Sequence, residues 1–312
     1  MPNPSAKNPD PANRVIAVTL GDPQGIGPEV IAKSLALAAP SASLLVVGSS
    51  RHFPPGGLRL LHDACEIHRG ETAFLEVADE TGAGDPSFRW VRTAVDLARK
   101  GKVQAVVTAP VSKDKWLASG LPYRGHTDYF ATLAPAPAMF FWSPGLKVAL
   151  FTHHIPLRDV FARLERGAIK VFVRQVAGEL QRLFGQEFTY FFSGLNPHAG
   201  ESGRLGREEI EVLLPAIGDL RDEIRVAGLF PPDVVFSKAR SVKGAVVIAW
   251  SHDQGLIPFK LLHGGDGVQL TLGLPFIRTS PVHGTAFDIA GKGIADPSSM
   301  LAAIRLAESL LR

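Results

Sequence analysis

Three apolar runs in this chain each end in a histidine. Residues 147–152 are followed by His153 and His154, residues 188–192 by a turn that reaches His198, and residues 244–250 by Ser251 and His252. In open α/β sheets ligands bind outside the carboxyl ends of the strands, so three strand-terminal imidazoles are candidates for one site. Neutral imidazole is the commonest side-chain ligand for transition metals, and three such ligands leave a coordination position open for substrate. Each histidine taken alone also reads as a loop residue that caps a backbone carbonyl, and spacing does not decide between the two.

Two glycine-rich segments carry a second kind of chemistry. Gly21-Asp22-Pro23-Gln24-Gly25-Ile26-Gly27 follows a strand pattern and precedes a helix pattern, a context in which backbone amides meet an anion. Its spacing is not the G-x-G-x-x-G dinucleotide fingerprint. Residues 282–297, VHGTAFDIAGKGIADP, combine glycines, a histidine and two aspartates without periodicity. Ordering so much glycine costs conformational entropy, which points to a ligand.

These groups need elements to carry them. The alternation of strand and helix patterns predicts a mostly parallel α/β fold. Strands are expected at 14–20, 43–47, 103–108, 147–152, 188–192, 234–237 and 244–250. Helices are expected from about Pro28, at 88–100, at 167–184, at 206–217 with Pro215 cutting or kinking it, and at 295–311. Residues 50–84, rich in glycine and proline, are expected to hold a short hairpin. Residues 1–13 are polar, lack the apolar core of a secretory signal and read as a disordered leader.

Bulk properties narrow the function. A chain of 312 residues accommodates one large or two modest domains. Its 33 basic and 30 acidic residues are interspersed, with a net charge of +3, and no basic run would track a nucleic acid. No apolar run reaches the roughly 18 residues of a membrane span. Cys65 is the single cysteine, so neither an internal disulfide nor a thiolate metal cluster is available, and a reducing, cytoplasmic location is expected.

Seven segments, in order, make a more specific pattern: GDPQGIGPE (21–29), TAPVSK (108–113), GHTDYF (125–130), HHIPLRDV (153–160), GLNPHAGESGRLG (194–206), SHDQG (251–255) and TLGLPFIRTSPVHGTA (271–286). Together they resemble the 4-hydroxythreonine-4-phosphate dehydrogenase family of pyridoxal phosphate biosynthesis. The resemblance implies a two-domain isopropylmalate dehydrogenase-like fold, with mostly parallel sheets flanked by helices and the active site in the interdomain cleft. It implies an NAD-binding domain at 14–124 and 275–312, and a metal, substrate and dimerisation domain at 125–274. It also implies a homodimer with the active site shared at the interface, NAD as oxidant, and one divalent ion per site (Zn, Mg, Mn or Co).

Carried over position by position, the metal ligands are His154, His198 and His252. The substrate-binding residues are His126, Thr127, Lys260, Gln269 and Arg278. Lys260 and Asp253 are the catalytic candidates, although Asp253 equally reads as a residue that orients its neighbouring histidine. The segment at 283–296 resembles the adenosine loop of isopropylmalate dehydrogenase and implies cofactor contacts from His283, Gly284, Thr285, Asp288 and Asp296. A carboxylate at 288 accepts hydrogen bonds from ribose hydroxyls and repels a 2′-phosphate, which favours NAD over NADP. The implied reaction is oxidation of 4-phosphohydroxy-L-threonine at C3 with decarboxylation.

Two departures bear on the substrate. Asp266 and Gln269 stand where the family usually has a basic residue and an asparagine, and residues 131–144 replace a more charged segment. They keep open a related phosphorylated acid, 4-phospho-D-threonate or 4-phospho-D-erythronate. A phosphotransacetylase-like acyltransferase is the rival from another class; it would need neither the three histidines nor the adenosine-type loop.

Overall fold

The structure is a computed structural model that describes residues 14–38, 40–53, 55–79 and 84–311. The expected leader at 1–13 lies outside the described residues. The chain divides into two compact units, one running to Pro135 and resuming at Leu274, the other spanning Ala136–Gly273.

The first unit contains β1 (Val15–Thr19), α1 (Gly27–Leu37), β2 (Ser43–Gly48), β3 (Arg59–Leu61), β4 (Thr72–Glu76), α2 (Pro86–Arg99), β5 (Ala105–Thr108), α3 (Lys113–Ala118) and α4 (His126–Ala131). Its sheet runs β3-β4-β2-β1-β5 and then the last strand of the chain, Ile277–Pro281, with every pairing parallel. All residues of β1, β2 and β5 are buried, which explains why they read as unbroken apolar runs and not as alternation. Asp85 accepts a hydrogen bond from the Ser87 amide at 2.9 Å and Pro86 opens the first turn, so α2 begins where a cap and a pre-set φ coincide. The hairpin expected within 50–84 is corrected: β3 and β4 pair in parallel. A 3-10 turn at Ala64–Glu66 lies in a connection too long for a hairpin, and it returns the chain to the same end of the sheet.

The second unit contains β6 (Ala138–Trp142), β7 (Lys147–Leu150), α5 (Leu157–Val160), α6 (Arg166–Phe184), β8 (Thr189–Ser193), α7 (Leu214–Gly218), β9 (Arg225–Phe230), α8 (Pro232–Arg240), β10 (Ala245–Ala249), α9 (His252–His263) and β11 (Val268–Leu272). The sheet order is β11-β6-β7-β10-β8-β9. Strands β7, β10, β8 and β9 are mutually parallel, while β6 runs antiparallel to both β11 and β7. Helix α6 buries Ile169, Val173, Val176 and Leu180, the stripe its sequence predicts.

Two expectations change here. Residues 234–237 are helical and not a strand: Pro231 and Pro232 set φ at the helix start, Asp233 lies in the first turn, and Val235, Phe236 and Ala239 are buried at helical spacing. The expected helix at 206–217 begins as a π-helical turn at Glu209–Leu213 and becomes α7 only at Leu214, beside Pro215. Two elements remain to be labelled, β12 (Ile277–Pro281) and α10 (Ser298–Ser309), which complete the first unit. Among the described residues no helix is long and apolar enough to cross a membrane.

Candidate active site

In the second unit, the sheet order puts the three histidine-bearing strands side by side. Strands β7, β10 and β8 are parallel neighbours, so His154, His252 and His198 all follow the same carboxyl edge. Neighbouring strands are about 4.8 Å apart, which brings three such loops within reach of one small ligand.

The strand ends are also stitched together. Thr152 donates its hydroxyl to the Trp250 carbonyl at 2.6 Å, tying β7 to β10. The fully buried Trp250 indole donates to the Ser193 carbonyl, tying β10 to β8. Gln254 accepts from the Trp250 amide at 2.8 Å and donates to the Gly194 carbonyl at 2.8 Å. Helix α9 can sit this close only because residue 255 is glycine: a Cβ there would lie 2.4 Å from Leu150 Cδ2.

The structure brings His154 and His252 together, with ring centroids 5.5 Å apart, and His153 packs edge-on against His154 at 5.4 Å. Asp253 Oδ1 lies 2.7 Å from His252 Nδ1, which fixes the ring and leaves Nε2 to face a ligand. His198 is exposed on the loop after β8. Among the described residues, no three or more His, Cys, Asp or Glu side chains stand together as a ready ligand set. The donor chemistry of the His154–His252 pair nonetheless suits a divalent transition metal.

Backbone strain concentrates at these loops. Among the described residues the non-glycine positions with φ in the left-handed region are His154, His198, Ala199, Glu201, Ser202 and Ala286. Each costs on the order of 1–2 kcal/mol, and such strain persists where surrounding structure holds it for function.

The remaining candidates of this unit lie further along. Lys260 is exposed on α9. Gln269 is buried in β11 and donates to Thr271 Oγ1 at 3.1 Å. Asp266 has a partner: its carboxylate lies 3.0 Å from His263 Nδ1.

The first unit holds an anion-suited cluster of its own. Arg278 on β12 is 5 % exposed, donates to Thr108 Oγ1 at 2.6 Å and lies 4.9 Å above the Phe130 ring. Burial pushes its guanidinium down to about 9. His126, the first residue of α4, stacks on Phe130 and meets Trp116 edge-on. Burial, and then the Arg278 charge, hold it well below the ordinary histidine range, so it is neutral at physiological pH. Its Nε2 is buried without a hydrogen-bond partner, an atom suited to a ligand oxygen. Thr127 is half-buried beside it.

The 282–297 loop is seated on the 21–29 turn. The Ile26 amide donates to the Thr285 carbonyl at 2.9 Å. Lys33 donates to the carbonyls of Gly293 and Ala295, while Glu29 accepts from the Ala295 amide at 2.8 Å. The two glycine-rich segments are therefore one structural device. Gly284 and Asp288 are exposed, and Thr285 is half-buried. His283 Nδ1 lies 3.0 Å from the Gly284 carbonyl. Asp296 accepts from the Ser298 amide and hydroxyl at 2.9 and 2.6 Å, a turn that starts α10.

The pyridoxal phosphate biosynthetic protein PdxA family matches residues 58–307. The chain belongs to this family. It is 41 % identical to the 4-hydroxythreonine-4-phosphate dehydrogenase of Desulforapulum autotrophicum, over 94 % of each chain. It is 39 % identical to the D-threonate 4-phosphate dehydrogenase of Salmonella typhimurium, over 95 % of this chain and 99 % of that one. The crystal structure of a 4-hydroxythreonine-4-phosphate dehydrogenase from Klebsiella pneumoniae superposes with a TM-score of 0.82 at 38 % identity, covering 96 % of this chain and 100 % of that one. An isocitrate dehydrogenase from Methylococcus capsulatus shares the fold, with a TM-score of 0.52 at 16 % identity over 94 % of this chain and 84 % of that one.

The residues that support the histidines, Trp250, Gln254 and Glu209, carry no signal in the sequence of this PdxA-family chain that sets them apart. Trp250 read as a strand end and Gln254 as a loop residue of SHDQG. Glu209 falls in the segment expected as a helix at 206–217, where nothing local marks it out.

Proposed function

We propose that this protein is an NAD-dependent dehydrogenase that oxidises 4-phosphohydroxy-L-threonine at C3, with loss of carbon dioxide to give 3-amino-2-oxopropyl phosphate, in pyridoxal 5′-phosphate biosynthesis. The observation that carries the reading is the adjacency of β7, β10 and β8, whose cross-linked ends bear His154, His252 and His198. These three histidines would hold a divalent ion, Zn, Mg, Mn or Co, which when bound supplies Lewis-acid polarisation of the reacting oxygen. The loop with His283, Gly284, Thr285, Asp288 and Asp296 would hold NAD, the hydride acceptor.

The side chains supply binding and orientation. Arg278 presents a buried positive charge to an anionic end of the substrate, and neutral His126 with Thr127 adds hydrogen bonds that do not depend on pH near 7. Lys260 provides an exposed cation for an anionic group and a proton-transfer group. Gln269 offers its amide. Asp253 fixes the His252 ring and is the candidate base beside it. A homodimer in the cytoplasm is part of the same reading: the resemblance to the family implies the dimer, and the single cysteine fits a reducing compartment.

A second reading, 4-phospho-D-threonate as substrate, is supported by the near-equal identity to relatives named for that reaction, 39 % against 41 %. With Asp266 turned onto His263, the departure at that position weighs less against the amino-acid substrate than its charge suggests. The test is NADH formation with 4-phosphohydroxy-L-threonine, 4-phospho-D-threonate and 4-phospho-D-erythronate, with and without chelator. A preference for the first, abolished by chelator, supports the main reading. A preference for a phospho-tetronate selects the second, and no reaction with any of them overturns both.

A further inference from the structure

The backbone after β8 runs through a left-handed turn. His198, Ala199, Gly200, Glu201, Ser202 and Gly203 all have φ between 45° and 88°. That hand is sterically unfavourable for every residue with a Cβ, so the turn needs an external hold.

Glu209 supplies it. The side chain is 1 % exposed. Oε1 accepts from the amides of Leu195 and Asn196 at 2.8 and 2.7 Å, and Oε2 accepts from Asn196 Nδ2 at 2.9 Å. The same Oε2 would stand 2.8 Å from a Cβ at position 200, so the turn closes over the carboxylate only with glycine there. Asn196 is gripped a second time, by Glu208 Oε2 at 2.8 Å. The helix opens at Glu209 as a π-turn, Glu209–Leu213, a geometry found most often at functional sites. A buried carboxylate answered by N–H donors from one short segment is a strong and directional clamp.

We propose that Glu209 is a positioning residue that locks the left-handed turn at 198–203 and thereby sets how His198 is presented. The proposal rests on the reading of His198 as a metal ligand. Orienting partners of ligand histidines typically change metal affinity ten- to a hundredfold when removed. Glutamine at 209 keeps one acceptor for the two amides but turns an NH2 toward Asn196 Nδ2, so the clamp is half lost without a change of volume.

The experiment compares Glu209→Gln, Glu209→Ala and a surface control, Glu211→Gln, by Co2+ titration followed in the visible spectrum and by amide exchange of residues 194–203 in metal-free protein. For Glu209→Gln, about a tenfold or greater loss of Co2+ affinity is expected, together with at least roughly tenfold faster exchange confined to that segment. The control should change neither. If Glu209→Ala does not fold, Glu209→Gln decides alone. Folded Glu209→Gln with unchanged Co2+ affinity and unchanged exchange overturns the proposal. If the wild type and a His198→Ala variant take up Co2+ alike, the reading of His198 fails instead, and the exchange measurement still decides whether Glu209 holds the turn.

Discussion

Gln254 makes two hydrogen bonds that hold the histidine-bearing strand ends in register, and removing them should be measurable at those bonds. Its carbonyl accepts from the Trp250 amide and its NH2 donates to the Gly194 carbonyl, both at 2.8 Å. Trp250 and Gly194 are buried; Gln254→Ala leaves the Trp250 amide without its partner, while the Gly194 carbonyl keeps the Ser193 hydroxyl at 3.0 Å. At about 1–2 kcal/mol for that one group, reduced from the fully buried figure because Gln254 is itself half-exposed, the local loss is about 1–2 kcal/mol. That corresponds to roughly 5- to 30-fold faster exchange of the Trp250 amide, since about 1.4 kcal/mol is a factor of ten. Amide exchange read peptide by peptide is the suitable assay, because two compact units need not unfold in one step. Gln254→Glu sharpens the test. Its carboxylate still accepts from Trp250 but sets an oxygen against the Gly194 carbonyl, which raises its folded pKa above the unfolded value near 4.3. A group raised on folding stabilises fully below the unfolded pKa and loses that contribution as pH rises through the folded one. Gln254→Glu should therefore be unstable at pH 8 and approach the wild type near pH 4.5, where the protonated acid donates to Gly194. A loss below about 0.5 kcal/mol in Gln254→Ala, or a pH-independent Gln254→Glu, would refute the reasoning.

Other consequences follow from the same geometry. Gly255→Ala forces a Cβ to within 2.4 Å of Leu150 Cδ2, and denaturant unfolding should show a loss of about 1–3 kcal/mol. His126 is held below its ordinary pKa of 6.5, so the unfolded chain takes up a proton there before the folded one does; stability should fall as pH drops below about 6.5, and His126→Asn should flatten that slope in urea titrations. Asp266 is engaged by His263, so Asp266→Asn should change the KM for a phosphorylated substrate by no more than about fivefold, the range of a surface ion pair; a larger change in steady-state kinetics would place its charge at the substrate.

The fold was legible wherever burial was uniform or periodic. Strands β1, β2, β5 and β10 are buried along their whole length and read as apolar runs, and α6 shows its stripe. The errors arose where a local signal was outweighed. The Val234-Val235-Phe236-Ser237 stretch has β-branched residues, but two prolines before it start a helix. The three histidines were visible as strand-end residues; their shared edge was not, because strand order is a long-range property. The support was less visible still. Glu209 gains meaning only when the chain folds back over it, and the left-handed turn at 198–203 shows just two of its six positions as glycine.

On the function proposed above, His154, His198 and His252 would hold one divalent ion that the dehydrogenase reaction needs. The direct measurement is bound metal per chain in the wild type and in His154→Ala, His198→Ala and His252→Ala, alongside NADH formation from the phosphorylated substrate. One ion per chain in the wild type, lost with activity in each variant while thermal unfolding is preserved, is the predicted result. Full metal content and activity in folded His198→Ala or His252→Ala would contradict it.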